Sequence, residues 1–154
     1  MNGRATALEI ALVPATFYVF GLARGKPYTQ KTALFAAEAL ADSFVLYAAI
    51  NAMSRRLRPS DIAPTGNFSD TFFHPRKTVF TSSFPSGHTM MAFSVATVFA
   101  RRYGHHLWVP WVAYGVAGAI GFSRITLQAH FPADVFLGAA LGYSISRYVV
   151  LRGR

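Results

Sequence analysis

The chain has 154 residues, of which 53% are hydrophobic and 14% are charged. A composition this apolar excludes an intrinsically disordered chain, and the length suits a single domain over residues 1–154. Fifteen Lys and Arg against six Asp and Glu give a net charge of +9, which suits nucleic acid, anionic lipid or a phosphorylated substrate. The absence of Cys excludes disulfides, zinc–thiolate sites and a thiol nucleophile.

Long runs without charge predict helices that could cross a membrane. No Lys, Arg, Asp or Glu occurs from Thr78 to Ala100 or from Tyr103 to Ser123, and only Asp134 occurs from Ile125 to Ser146. A bilayer span needs roughly 20 residues, so each run is long enough. With two more interrupted apolar stretches, these runs predict five helices, at residues 5–23, 33–53, 86–101, 107–122 and 133–151.

The predicted fold is therefore an all-α bundle of about five helices embedded in a membrane. Small residues predict close helix packing at Gly115, Gly118 and Gly121 on the fourth helix and at Gly138 and Gly142 on the fifth. A soluble helical bundle is the alternative, because the mean hydropathy of +0.31 is modest and interrupted apolar runs also describe core helices. The non-helical stretch at residues 54–85 is long enough to suggest a functional loop.

Polar residues with useful chemistry occur at helix ends that an up-and-down bundle places together. They fall into four groups: Arg55, Arg56 and Arg58; Ser86, Gly87 and His88; Ser123 and Arg124; His130 and Asp134. The sequence thus predicts one site at one end of the bundle.

The chemistry of these groups suits a phosphate. Arginine offers paired donors matched to a tetrahedral oxyanion, and Pro85 predicts that a helix, whose first NH groups bind anions, begins at the second group. Pro132 predicts a helix start that brings Asp134 within reach of the His130 imidazole. A carboxylate that binds one ring nitrogen of His130 leaves the other nitrogen free to attack or to take a proton. His88 and His130 are therefore expected to act as an acid and nucleophile pair around a bound phosphate.

Three motifs resemble the signature of the type 2 phosphatidic acid phosphatase and vanadium haloperoxidase superfamily: Lys-x6-Arg-Pro, Pro-Ser-Gly-His and Ser-Arg-x5-His-x3-Asp. The chain has Arg58-Pro59, Pro85-Ser86-Gly87-His88, and Ser123-Arg124 followed at the family's spacing by His130 and Asp134. The resemblance covers about residues 33–151, the motif-bearing core.

The resemblance implies a phosphohydrolase that acts on a lipid phosphate or pyrophosphate through a phosphohistidine. His130 would attack phosphorus, Asp134 would orient it, and His88 would protonate the leaving oxygen. The implied phosphate-binding residues are Arg58, Ser86, Gly87 and Arg124. No metal or other cofactor is expected, and vanadate would act only as an inhibitor or in a haloperoxidase.

Asn51 stands where the first motif has Lys, so one charged phosphate contact, worth about 1.5–3 kcal/mol, is weakened or lost. Positions 51, 55 and 58 would share a face if the helix continued, and Arg55 would then supply the missing charge. Asn51 and Arg55 are therefore included among the predicted phosphate-binding residues.

The basic residues also predict an orientation. Eight lie on the side away from the motifs and seven on the motif side, three of these already assigned to phosphate. By the positive-inside rule the motif side faces away from the cytoplasm, in a membrane of the bacterial inner-membrane type. The first set is Arg24, Lys26, Lys31, Arg101, Arg102, Arg147, Arg152 and Arg154; the second is Arg4, Arg55, Arg56, Arg58, Arg76, Lys77 and Arg124.

Other functions compete with this interpretation. The same pocket suits a vanadate-dependent haloperoxidase or a soluble acid phosphatase, and Asn51 raises the case of a non-catalytic membrane protein that only binds. A triad of Ser86, His130 and Asp134 lacks a nucleophile elbow, and a metal bound by His88, His130 and Asp134 would be repelled by the arginines. A nucleic-acid partner is not expected, because no aromatic-bearing soluble platform accompanies the basic residues.

Overall fold

The computed structural model of the chain describes residues 3–62, 66, 68–74 and 81–152. Its helices are α1 (Gly3–Ala23), α2 (Pro27–Ser54), α3 (Gly87–Arg102), α4 (Trp108–Thr126) and α5 (Pro132–Ser144). A 3₁₀ turn at Pro59–Asp61 follows α2, and a π-helical segment at Ile145–Val150 continues α5. No strand occurs in the described ranges, so the prediction of an all-α bundle of five helices is confirmed.

Two helix boundaries differ from the prediction in a way that matters for the site. Helix α2 begins at Pro27, six residues before the predicted start, because the fixed φ of proline suits the first helical position even where polar residues follow. Helix α4 continues to Thr126 rather than ending at residue 122. Ser123 and Arg124 therefore lie in its last turn, where their positions are fixed by the helix.

Helix α3 occupies the centre of the bundle and packs against α2, α4 and α5, whereas α1 packs mainly on α2. Contacts between α3 and α5 are unusually close. A Cβ at Gly138 would lie 2.7 Å from the Ser86 carbonyl oxygen, and one at Gly142 would overlap the Met90 carbonyl oxygen. The packing role predicted for Gly138 and Gly142 is confirmed, since only glycine lets the two backbones touch.

The glycines of α4 do not share one role. A Cβ at Gly121 would lie 3.0 Å from the Cγ1 of Val135 on α5, so this glycine also lies in a helix contact. The same addition at Gly115 or Gly118 would meet no atom within 4 Å. The prediction of close packing at these two positions is therefore wrong, because they fall on the open face of α4.

One stretch in the described part of the chain, Pro27–Asp61, which contains α2 and the turn after it, is long and apolar enough to cross a membrane by length and composition, and Leu8–Ala23 is apolar but shorter. Large apolar side chains are nevertheless exposed on several helices. They include Leu12, Val19, Phe20 and Leu22 on α1, Trp108, Trp111, Val116 and Phe122 on α4, and Phe136 on α5. An apolar outer surface of this kind is suited to lipid rather than to water.

Parts of the sequence argument fall outside the described residues. Pro64, Asn67 and Pro75 of the long loop are among them. So are Arg76, Lys77 and Arg154 of the charge count, and the predicted orientation stays a prediction.

Candidate active site

The segment that follows α2, the start of α3 and the turn between α4 and α5 meet at one end of the bundle. The Ser83 NH donates to the Arg56 carbonyl at 2.8 Å, and the Ser86 NH donates to the Asp134 carbonyl at 3.1 Å. The Ser60 NH donates to the Gln128 carbonyl at 3.2 Å. These main-chain bonds join three distant segments, so the predicted groups of polar residues lie together.

His130 lies in the turn between α4 and α5 and is 6% exposed. Its Nδ1 is 2.5 Å from the Ser83 carbonyl oxygen. A carbonyl oxygen only accepts, so the proton is on Nδ1 and the lone pair of Nε2 is free to react. The pKa of His130 is lowered from 6.5 to about 4, mainly by burial and also by the positive charges of Arg58, His88 and Arg124, which together outweigh the raising effect of the Ser83 bond.

The neutral imidazole of His130 is therefore expected to persist down to about pH 4. Because this folded-state pKa lies below the ordinary 6.5, the folded protein binds fewer protons than the unfolded chain between these values. The free energy of unfolding should rise with pH across that window. An NMR titration of the His130 ring should show a midpoint near 4, and a midpoint near 6.5 would contradict the assignment.

Asp134 is fully buried at the third position of α5 and accepts three hydrogen bonds. The donors are Nη1 of Arg56, Oγ of Ser83 at 2.5 Å and the Phe131 NH at 3.0 Å. Among the described residues no hydrogen bond joins the carboxylate to the imidazole, so the expected direct contact is not found. A carboxylate at this helical position turns back to the NH before the helix, and Ser83 links it to His130.

Ser86 and Gly87 form the start of α3. Ser86 is buried at the N-cap, and its Oγ is 2.8 Å from the Thr89 Oγ1. A Cβ at Gly87 would lie 2.8 Å from the Tyr47 ring on α2, so the absence of a side chain allows α3 to start against that ring. The first NH groups of a helix lack intrahelical acceptors and carry the positive end of its dipole, so this helix end suits an anion.

Two arginines approach the same place from different elements. Arg124 is 3% exposed in the last turn of α4, and its Nε and Nη2 donate to the Ser123 Oγ at 3.1 and 3.0 Å. Arg58 follows α2, and its buried Nε has no acceptor among the described residues. A buried donor without an acceptor is costly, and an anion held between these guanidinium groups would satisfy it.

The structure places Asn51 and Arg55 differently from the sequence argument. Helix α2 ends at Ser54, and Arg55 follows in the left-handed region with a φ of 42°. The shared-face argument for Arg55 is therefore wrong, and its side chain is exposed. Asn51 is 2% exposed, and its Nδ2 donates to the carbonyls of Ser82 at 3.0 Å and Phe84 at 3.4 Å. Its amide NH₂ group thus holds the segment that precedes α3.

Replacing Asn51 with alanine is expected to lower the free energy of unfolding by about 1–3 kcal/mol, because buried carbonyls lose their donor. Thermal unfolding in detergent measures the change, and Met53→Ala on the exposed side of the same turn, where the side chain is 66% exposed, is the matched control. Unchanged stability together with weakened phosphate binding would instead favour the predicted phosphate contact.

The sequence did not indicate a site role for Ser83, and it indicated Arg56 only as one member of a basic group. Arg56 bonds to Asp134, and Ser83 bonds to both Asp134 and His130. Their partners lie far away along the chain, so no local spacing could have indicated the contacts.

An apolar cleft of about 570 Å³ lies between α1, α3 and α4. Residues such as Phe17, Ala96 and Val112 line it, and none of the predicted site residues does. Its lining does not suit phosphate chemistry. Among the described residues no three His, Asp or Glu side chains are grouped closely enough to hold a metal ion.

An all-helical bundle with two histidines, two arginines and a helix N-terminus at one end has the groups that suit a bound anion. Residues 31–153 match the PAP2 superfamily, and the chain belongs to that superfamily.

Two curated relatives share part of this sequence. A lipid A 1-phosphatase of Porphyromonas gingivalis is 45% identical over 62 residues, which are 40% of this chain and 14% of that protein. The bacitracin transport permease protein BcrC of Bacillus licheniformis is 37% identical over 68 residues, 44% of this chain and 32% of that protein. The matches thus span less than a third of either relative.

A solved structure shares the fold. It is the transmembrane PAP2 type phosphatidylglycerolphosphate phosphatase from Bacillus subtilis, with a TM-score of 0.57 and 23% sequence identity. The alignment covers 95% of this chain and 75% of that one.

Proposed function

We propose that the protein is a phosphohydrolase that removes phosphate from a lipid phosphate or pyrophosphate through a phosphohistidine on His130. One observation carries this proposal. The buried, neutral His130 has a free Nε2 within the electrostatic influence of Arg58, His88 and Arg124. A nucleophile among positive charges is suited to a phosphate, because the positive groups bind the phosphate and offset the negative charge that would hinder attack.

The reaction follows from these groups in two balanced steps. Nε2 of His130 attacks phosphorus, the bond from phosphorus to the leaving oxygen breaks, and protonated His88 gives that oxygen its proton. Neutral His88 then takes a proton from water, the resulting oxygen attacks phosphorus, and the bond from nitrogen to phosphorus breaks. Arg58, Arg124 and the first NH groups of α3 hold the other phosphate oxygens throughout.

A lipid substrate is supported by the surface and by the relatives. Exposed side chains such as Trp111 and Phe122 give α4 an apolar outer face. Two of the similar proteins are, by their names, phosphatases of lipid A and of phosphatidylglycerolphosphate. The proposal therefore includes a position in a bacterial inner membrane, with the site facing away from the cytoplasm and a substrate that reaches it from the bilayer.

The proposed chemistry uses no metal or other cofactor, because the two histidines and two arginines supply a nucleophile, an acid and positive charge. Vanadate, which resembles phosphate during transfer, should inhibit the reaction. A chelator should leave it unchanged.

A panel of phosphatidate, phosphatidylglycerol phosphate, polyprenyl pyrophosphate and a soluble phosphate ester tests the proposal by phosphate release from the purified protein. We expect release from at least one lipid and slower release from the soluble ester. Faster release from the soluble ester would favour a soluble acid phosphatase. Halide oxidation by peroxide after vanadate loading would favour a haloperoxidase, and binding without release would favour a non-catalytic protein.

A further inference from the structure

The side chain of Arg56 is fixed by contacts with other residues of the protein. Its guanidinium carbon lies 4.3 Å from the ring centroid of Phe131 and 4.6 Å from that of Phe72. Its Nε donates to the Thr71 Oγ1 at 3.1 Å, and its side chain is 14% exposed. A planar cation between two aromatic faces is fixed in both position and orientation.

The side chain of Arg56 is connected to His130 through two residues, Asp134 and Ser83. Its Nη1 bonds Oδ1 of Asp134, while Oδ2 of that carboxylate accepts from the Ser83 Oγ at 2.5 Å. The carbonyl of the same serine, Ser83, accepts from His130 Nδ1 at 2.5 Å. Ser83 therefore connects the carboxylate to the imidazole, through its side chain on one side and its main chain on the other.

The main chain of Arg56 supports the same serine segment. The Arg56 NH donates to the Ser82 Oγ at 2.9 Å, and the Arg56 carbonyl accepts from the Ser83 NH at 2.8 Å. Phe131, on which the guanidinium stacks, is the chain neighbour of His130. Arg56 thus restrains the nucleophile from both sides: at the carbonyl that orients its ring and at the residue next to it.

The guanidinium of Arg56 forms an ion pair with Asp134. This carboxylate is fully buried, and a buried carboxylate without a cationic partner is strongly unfavourable. Arg58, in contrast, has a buried Nε without an acceptor in the described part of the chain. Two arginines only two positions apart therefore differ in role, one directed to the protein's own carboxylate and one available to an anion.

We propose that Arg56 is a positioning residue, which acts through Asp134 and Ser83 to hold the His130 ring with Nε2 directed at the phosphate. It does not touch the reacting atoms. The kinetic consequence rests on the proposed function, whereas the orientation of the ring does not.

The kinetic test compares Arg56→Gln and Arg56→Lys with the native protein. A misplaced nucleophile lowers the rate of the chemical step, so we expect kcat to fall about 100-fold in Arg56→Gln with KM unchanged. Arg56→Lys keeps the charge beside Asp134 and the fold but loses the planar stack, so its kcat should fall by a smaller factor. Arg24→Gln is the matched control, because Arg24 also lies over an aromatic ring, 5.4 Å from the Phe20 centroid, but at the other end of the bundle.

A double-mutant cycle separates positioning from a merely structural role. If Arg56 acts through Ser83, the loss of kcat in the Arg56→Gln, Ser83→Ala double variant should be smaller than the product of the two single losses. A raised KM with unchanged kcat would show that Arg56 binds substrate, and independent losses would show that it does not act through Ser83. Either result overturns the proposal.

A spectroscopic measurement tests the ring without turnover. The ¹⁵N shifts of the His130 ring, recorded without substrate, should show a proton on Nδ1 in the native protein and mixed tautomers in Arg56→Lys and Arg56→Gln. If the native protein releases no phosphate but the tautomer depends on Arg56, the proposed function fails and the positioning role stands. Unchanged tautomer and unchanged kcat in Arg56→Lys and Arg56→Gln would overturn the positioning role alone.

Discussion

Replacement of His130 with alanine is expected to reduce phosphate release by about 10⁴-fold or more, because loss of a covalent nucleophile removes the whole two-step route. The methyl group of alanine offers no lone pair, and the arginines can still bind phosphate but cannot transfer it. Binding of vanadate should therefore weaken far less than turnover. The rate of phosphate release and the affinity for vanadate measure the two effects separately.

The covalent intermediate can be observed directly in the same experiment. Rapid acid-free quenching of the native protein with ³²P-labelled substrate should trap a label that is stable in alkali and lost in acid, as expected of a phosphohistidine. His105→Ala is the matched control, since His105 is exposed in the turn between α3 and α4 at the other end of the bundle. Equal labelling of the native protein and His130→Ala would show that the nucleophile is another residue.

Substitution of either glycine in the contact between α3 and α5 is expected to lower the stability of the fold. Added at Gly138, a methyl group would lie 2.7 Å from the Ser86 carbonyl, and at Gly142 it would overlap the Met90 carbonyl. Both obstacles are backbone atoms, so the helices must separate. We expect a loss of about 2 kcal/mol, because overpacking outweighs the gain in helix propensity from glycine to alanine.

Gly115→Ala provides the matched control for this prediction, because it is also a helical glycine but meets no atom within 4 Å. It should be neutral or stabilise the protein by up to about 1 kcal/mol. Thermal unfolding of the three variants in detergent measures the difference. If Gly142→Ala unfolds at the same temperature as Gly115→Ala, the close contact does not exist.

The number of helices and their directions could be predicted from the sequence because charged residues are excluded from long segments. Charge-free runs located α3, α4 and α5, and alternating directions placed Ser86, Arg124 and His130 at one end. These inferences depend on period and spacing, which are local properties of the chain. They did not require knowledge of which side chains touch.

The inner contacts of the site could not be predicted, because they depend on tertiary structure. The predicted end of the second helix at residue 53 lies one residue from the observed end at Ser54, but the continued helix that would place positions 51, 55 and 58 on one face does not form, because Arg55 is left-handed. The bond between Arg56 and Asp134 joins residues 78 positions apart. The Asp134 carboxylate accepts hydrogen bonds from the Phe131 NH and from Ser83, whereas helical spacing alone predicted a contact with the His130 imidazole.

The direct contact between α3 and α5 also determines how the site responds to its surroundings. Helix α3 carries the NH groups proposed to bind the phosphate, and α5 begins next to His130, so both halves of the proposed site are built on one backbone-to-backbone pair. In the proposed function, the spacing between the nucleophile and the phosphate should therefore change little when the outer helix α1, which packs mainly on α2, moves.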